Sequence, residues 1–298
     1  MFINKKDMMK RRHFIKRSVA AGTGIAALSA FPYHLYARDK AMHPYDRVKL
    51  GNTGIEMSRM AMGTGSSGWR GSSNQTRKLG IRGLADLLHA AYDEGINFWD
   101  SADQYGTHPH LKEAQKRIKR ENVVILTKST SITADGMRKD LDRFRKEIGT
   151  DYLDIVLLHA VTNGNWRNDL KGPMEVLSEA REEGIIRAHG ISCHSLEALE
   201  QAAIEPWVDV DLARFNPAGV MMDSDVDTVR NVLTKMKDNG KAIIGMKVYG
   251  AGRLLDKKDE CLEFHTGHDF IDSFTLGLES AEQLQDIMKR LPEASVRG

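Results

Sequence analysis

From Val48 onward the chain alternates between two hydrophobic rhythms. Short runs are nearly all apolar, as strands buried on both faces are. Longer stretches between them place apolar residues three or four apart, the period of an amphipathic helix. This pattern predicts strands at 59–63, 96–100, 122–128, 153–159, 186–191, 208–214, 242–247 and 270–276. It predicts helices near 77–94, 110–120, 134–148, 172–183, 195–203, 225–238, 256–264 and 280–290. In 77–94, Leu79, Leu84, Leu87, Leu88 and Ala91 share one face, and Gly95 supplies the stop. Strands alternating with helices in this number point to an α/β fold, a closed (β/α)8 TIM barrel.

Upstream, Val48-Lys49-Leu50 and Ile55-Glu56-Met57 flank Asn52-Thr53-Gly54, which reads as a hairpin. An open doubly wound sheet is the alternative. It requires a glycine-rich phosphate loop after its first strand. Gly63-Thr64-Gly65-Ser66-Ser67-Gly68 approaches that composition, but no helix opens at once.

The 298 residues divide unevenly in charge. Residues 1–40 hold nine Lys and Arg against Asp7 and Asp39; a chain total of +2 leaves 41–298 at −5. Such a body does not suit nucleic acid as a partner. In the basic segment, Lys10-Arg11-Arg12-His13-Phe14-Ile15-Lys16 precedes an Ala- and Gly-rich run from Ser18 to Pro32. The order resembles a twin-arginine export signal, and the run is short for a bilayer. The expectation is therefore a signal segment over 1–40, the export machinery as partner, a periplasmic or otherwise exported product, and no stable membrane span after cleavage. A single barrel would occupy 41–298. Cys193 and Cys261 have no metal-type spacing, and the sequence leaves open whether they pair. No metal site is expected.

Candidate chemistry collects at strand ends. Asp100 closes the second barrel strand, Tyr105 follows in its loop, and Lys128 and His159 close the next two. In a parallel barrel these ends face one mouth. A phenol, with a reference pKa of about 10, is a weak acid at neutral pH. A neighbouring ammonium stabilises its anion, and a carboxylate keeps that ammonium charged. A histidine can orient a carbonyl or relay a proton.

On these residues the body, from about 45 to 290, resembles the aldo-keto reductases. Asn97-Phe98-Trp99-Asp100-Ser101-Ala102-Asp103-Gln104-Tyr105-Gly106 matches the family's main signature. Ile125-Leu126-Thr127-Lys128 and Leu157-Leu158-His159 match its Lys and His strands, and Lys49 to Gly54 its barrel-bottom cap. The resemblance implies Tyr105 as general acid, Lys128 as modulator of its pKa, Asp100 as partner of Lys128, and His159 as substrate-orienting. It implies a nicotinamide cofactor, NAD or NADP, and a small carbonyl or alcohol substrate, with sugars and polyols as candidates.

The cofactor side follows the family less closely. Gly63 and Thr64 fit the segment near the nicotinamide ribose, and Ser192 the carboxamide position. Cys193 stands where Asn is usual, Leu212 where an amide is, and Met246 where a ring stacks on the nicotinamide. Lys247 falls on the pyrophosphate path. Leu276-Gly277-Leu278-Glu279-Ser280-Ala281-Glu282-Gln283 resembles the family's last loop and helix start, which suits a phosphate. Glu279 there disfavours the 2′-phosphate of NADP and suits a ribose hydroxyl; Gln283 takes an often basic position. Trp69 and Trp166 are candidates for the substrate wall, whereas His108 and His110 read as solvated loop residues. The altered cofactor contacts keep two other classes open: a nucleotide-binding regulatory barrel without turnover, and an isomerase or lyase on the same fold.

Overall fold

The structure, a computed structural model, describes residues 41–297; the signal reading of 1–40 lies outside the described residues. The antiparallel hairpin β1 (Arg47–Lys49) and β2 (Glu56–Ser58) comes first. Then follow β3 (Met60–Gly63), α1 (Asn74–Asp93), β4 (Phe98–Asp100), α2 (His108–Ala114), β5 (Val124–Ser129) and α3 (Ala134–Ile148). Next come β6 (Leu153–Val161), the single turn α4 (Trp166–Asp169), α5 (Lys171–Glu182), β7 (Ile186–Cys193) and α6 (Leu196–Ile204). The chain ends with β8 (Val210–Arg214), α7 (Val226–Asp238), β9 (Ala242–Met246), α8 (Lys258–Thr266), β10 (Ser273–Gly277) and α9 (Ala281–Ser295). Strands β3 to β10 close into a parallel barrel when β10 pairs β3, Gly277 opposite Gly63. That closure excludes the open sheet. Among the described residues, no helix is long and apolar enough to cross a membrane.

Alternation along each strand separates two cores. Ala61, Phe98, Leu126, Ile155, Leu157 and Ile244 fill the lumen, together with Leu50, Ile55 and Met57 of the hairpin. The hairpin therefore seals the end where the strands begin. A Cβ on Gly51 would come within 3.0 Å of Ala242, the first residue of β9. The opposite parity, including Met62, Trp99, Ile125, Val156 and Ile191, packs against the helices. Helix starts are capped as their sequences suggest. Ser73, Thr133, Ser195, Asp225 and Ser280 each accept a backbone N–H of the following turn.

Several element boundaries differ from expectation, three of them at helix ends. Helix α1 starts at Asn74, and Gly80 at φ 63° breaks it inside the periodic stretch, between Leu79 and Leu84. Helix α2 stops at Ala114, where Lys116 and Arg117 turn back onto Glu113 and Ala114 in tighter three-residue turns. Helix α9 runs on to Ser295 through Pro292.

Two acidic side chains on the helix-facing parity contrast. Asp154 on β6 accepts from Arg120, Arg187 and the Ile125 N–H at 2.6, 2.7 and 2.9 Å. Asp211 on β8 is equally buried and has no charged partner among the described residues: only the Cys193 thiol and the Cys193 and Leu212 backbone support its carboxylate, weakly. Burial, with Asp223 nearby, pushes the Asp211 carboxyl up to about 7. In the unfolded chain it ionises near 4. Between these values only the folded state holds the proton, so stability falls as pH rises through that window and then levels. Asp211→Asn removes the ionisation. Thermal melts are expected to match wild type near pH 4 and to exceed it by several degrees above pH 7; parallel curves at every pH would refute this.

Candidate active site

Continuing the lumen parity toward the strand ends brings Gly63, Asp100, Lys128, His159 and Ser192 to one mouth. Lys128 is 0 % exposed. Its Nζ donates to Asp100 Oδ1, and to the Ser101 carbonyl at 2.7 Å. The other Asp100 oxygen accepts from Thr275 Oγ1 at 2.9 Å, so β10 completes the site. Burial would push the Lys128 ammonium down; Asp100 and Tyr105 outweigh it and hold the ammonium above its ordinary range.

Tyr105 ends a short helical turn, Asp103–Tyr105, beyond β4. Lys128 Nζ lies 4.9 Å from its ring centroid. The ring sits on the glycines of the β3 loop. A Cβ on Gly65 would stand 2.2 Å from Tyr105 Cε2, and one on Gly68 2.3 Å from Cδ1. The glycine-rich stretch weighed as a phosphate loop thus includes two glycines that make room for the phenol. Burial pushes that phenol up, and Lys128 recovers only part of the shift. The expectation of a pKa below the ordinary value is therefore corrected: desolvation wins, and the hydroxyl stays protonated at neutral pH.

His159 packs edge-on to Tyr105, with ring centroids 5.8 Å apart. Just past the histidine, strand β6 changes register between Leu158 and Val161, with Ala160 at φ 56°, and Val161 packs in the outer core. Burial, with Lys128, His194 and Lys247 adding, pushes the His159 imidazole well below its ordinary value. It is neutral at physiological pH. His194 is pushed down to about 4, by burial first and then by Arg214 and Lys247.

From Asp100 and Tyr105 a cavity of about 480 Å³ runs between the loop after β9 and the start of α9. Gly63, Met246, Lys247, Gly277, Glu279 and Gln283, all named from sequence, line it. Lys247 takes φ 58°, and Asn216 Nδ2 donates to its carbonyl at 3.2 Å. Such left-handed backbone in a non-glycine residue persists where surrounding structure imposes it. Glu279 accepts from Asn74 Nδ2 at 2.7 Å and pairs with Lys78. Burial would raise its carboxyl; these partners outweigh that and keep it below the usual range. A dinucleotide fits this set. The buried Ser192 Oγ, at the mouth but not in the cavity wall, has no partner, and α9 opens beside the cavity with its dipole toward it.

Several expectations fail. Cys193 has the helix-facing parity and packs in the outer core beside Asp211, away from the cavity. Cys193 and Cys261, whose pairing the sequence leaves open, are both buried and free. Thr64 is buried, its Oγ1 donating to the Asp100 carbonyl at 2.9 Å and bonded to Thr107 Oγ1 at 2.8 Å; it braces the mouth and does not line it. Trp166 is 0 % exposed, donates to the Ala198 carbonyl and lies tilted against Trp207, so it cannot wall a substrate. Trp69 is 61 % exposed and outside the cavity wall. His108 and His110 are buried, where solvated side chains were expected. Sequence reasoning missed Thr275, Gly65 and Gly68 at the site. Only the glycine pattern carried any signal.

Comparison with known proteins follows this geometry. Residues 59–296 match the model of the aldo/keto reductase family. The chain is 24% identical over 221 residues to the NADH-specific methylglyoxal reductase of Escherichia coli (strain K12), covering 65% of this chain and 64% of that protein. It is 30% identical over 191 residues to the 6-dehydroglucose reductase of Novosphingobium aromaticivorans, covering 57% and 58%. These alignments span less than two thirds of the relatives' own length. The barrel matches the holo form of an aldo-keto reductase from Bacillus halodurans with a TM-score of 0.68 at 15% identity, over 83% of this chain and 90% of that one. A match that begins at the first barrel strand and ends with the last helix makes this chain a member of the aldo/keto reductase family.

Proposed function

We propose that the protein moves hydride between a nicotinamide dinucleotide and a small carbonyl or alcohol, with Tyr105 as proton donor. The observation that carries this is the buried Lys128–Asp100 pair beside Tyr105 and His159, at the head of a cavity that extends to α9. The chemistry a nicotinamide supplies when bound is donation or acceptance of hydride. Ser192, Lys247 and the first turn of α9 are the residues that would hold it.

A substrate carbonyl oxygen at the mouth accepts hydrogen bonds from the Tyr105 hydroxyl and the neutral His159 ring. As its carbon is reduced, negative charge develops on that oxygen, and the Tyr105 proton passes to it. The phenolate left behind sits beside the Lys128 ammonium, which stabilises it. Oxidation of an alcohol runs the same transfer backward. Glu279, held as a carboxylate by Lys78 and Asn74, favours NAD(H): a ribose diol can donate to it, and a 2′-phosphate is repelled. The relatives' names, methylglyoxal reductase and 6-dehydroglucose reductase, support small aldehydes and oxidised sugars as first substrates to assay.

Tyr105→Phe is expected to lower turnover about 10²–10⁴-fold while NADH binding, followed by fluorescence titration, stays intact. A variant that turns over normally would refute the assigned acid. Gly65→Ala should drive the phenol off Lys128, with a large loss of kcat and little change in Tm, since the clash is with one side chain at the mouth. Titration of NADH and NADPH into wild type and Glu279→Gln checks the cofactor: tighter NADH binding in wild type and a gain for NADPH in the variant are expected.

A further inference from the structure

One face of α3 grips both the loop that carries Tyr105 and the strand end that carries Lys128. The face presents Asp140, Arg143 and Glu147, spaced three and four apart and so neighbours on the helix. Arg143 Nη1 donates to Asp103 Oδ1 at 2.6 Å, at the start of the turn that ends in Tyr105. Just past Tyr105, His108 Nδ1 bonds Glu147 Oε2 at 2.8 Å, and its Nε2 bonds Thr127 Oγ1 at 2.8 Å. Arg143 ties the face together, donating to Asp140 Oδ1 at 2.7 Å and to Glu147 Oε1 at 3.3 Å. Asp140 Oδ2 in turn accepts from Ser129 Oγ at 2.5 Å and Ser131 Oγ at 2.6 Å. Thr127 and Ser129 are the two strand neighbours of Lys128. The attachments therefore fall on both sides of Tyr105 and on both sides of Lys128.

We propose that Arg143, with Asp140, Glu147 and His108, is a positioning network for the reaction: it sets the distance between the Tyr105 phenol and the Lys128 ammonium. This rests on the proton-donor role proposed above for Tyr105. None of these four side chains lines the cavity, so they act through Tyr105 and Lys128 alone. Their location explains why a polar cluster is retained here. Half-exposed ion pairs contribute little to stability. An error of about 1 Å in a reacting group costs about a hundredfold in rate. Arg143 is also the cation that three carboxylates share. Without it, Asp103, Asp140 and Glu147 repel one another, and the Tyr105 turn is the segment free to move away.

The test is Arg143→Gln in the full chain, alone and combined with Tyr105→Phe, with NADH and methylglyoxal as probes. The single variant is expected to lose about 10–100-fold in kcat, with NADH binding, KM and Tm little changed. Arg143→Lys should recover part of the loss, because an ammonium can reach Asp103 but cannot bridge to Asp140 as a guanidinium does. In the Tyr105→Phe background the second change should cost nothing further, since the network acts only through that hydroxyl. Equal losses in both backgrounds, or a normal kcat in folded Arg143→Gln, would overturn the proposal. Amide hydrogen exchange gives a readout independent of turnover. Arg143→Gln should speed exchange in residues 101–108 while the other strands stay protected; unchanged exchange there overturns the network even if wild type proves inactive on every carbonyl. Wild-type inactivity by itself counts against the proposed function only.

Discussion

Everything at the mouth of this barrel is arranged around one ion pair, Lys128 with Asp100, taken almost wholly out of water. Removing two charges from solvent is costly, and mutual attraction repays it only when their remaining hydrogen-bond capacity is filled. The Ser101 carbonyl fills it on the lysine side. Thr275 fills it on the aspartate side, from a strand 175 residues away in sequence. The pair is therefore satisfied only once β10 has closed onto β3. Barrel closure and the assembly of the mouth are in this sense one event, and the hairpin that seals the far end leaves the top as the open one.

The same dry environment sets the protonation pattern. Burial keeps the Tyr105 hydroxyl and the His159 ring uncharged, while Asp100 keeps Lys128 charged. A neutral acid beside a fixed cation holds its proton against water, yet its anion is stabilised as the proton leaves. At the other end of the cavity the balance reverses. Glu279 is more exposed and has two donors, so it keeps its charge. One groove thus has a protonated phenol at one end and a carboxylate at the other.

The residues misread from sequence share a cause. Strand parity decides whether a side chain near a strand end faces the lumen or the helices, and parity follows from the register of the whole barrel. Ser192 and Cys193 are adjacent, yet one points into the lumen and the other into the outer core beside Asp211. Trp166 lies in the loop after His159, but that loop turns into α4 and buries the indole against Trp207. His108 follows the signature closely in a polar loop, yet α3 encloses it, with Glu147 supplied from 39 residues on.

By itself the sequence determined the alternation of strands and helices, the hairpin, and the four ionisable groups at successive strand ends, because periodicity and strand-end position are local properties of the chain. Only the tertiary structure decided which of those groups are dry, how each is protonated, and which neighbours hold them. Those follow from contacts between residues far apart in sequence, such as Thr275 on Asp100, Gly65 under Tyr105 and α3 across Asp103 and His108. Desolvation depends on everything packed around a group, and no window of sequence contains that information.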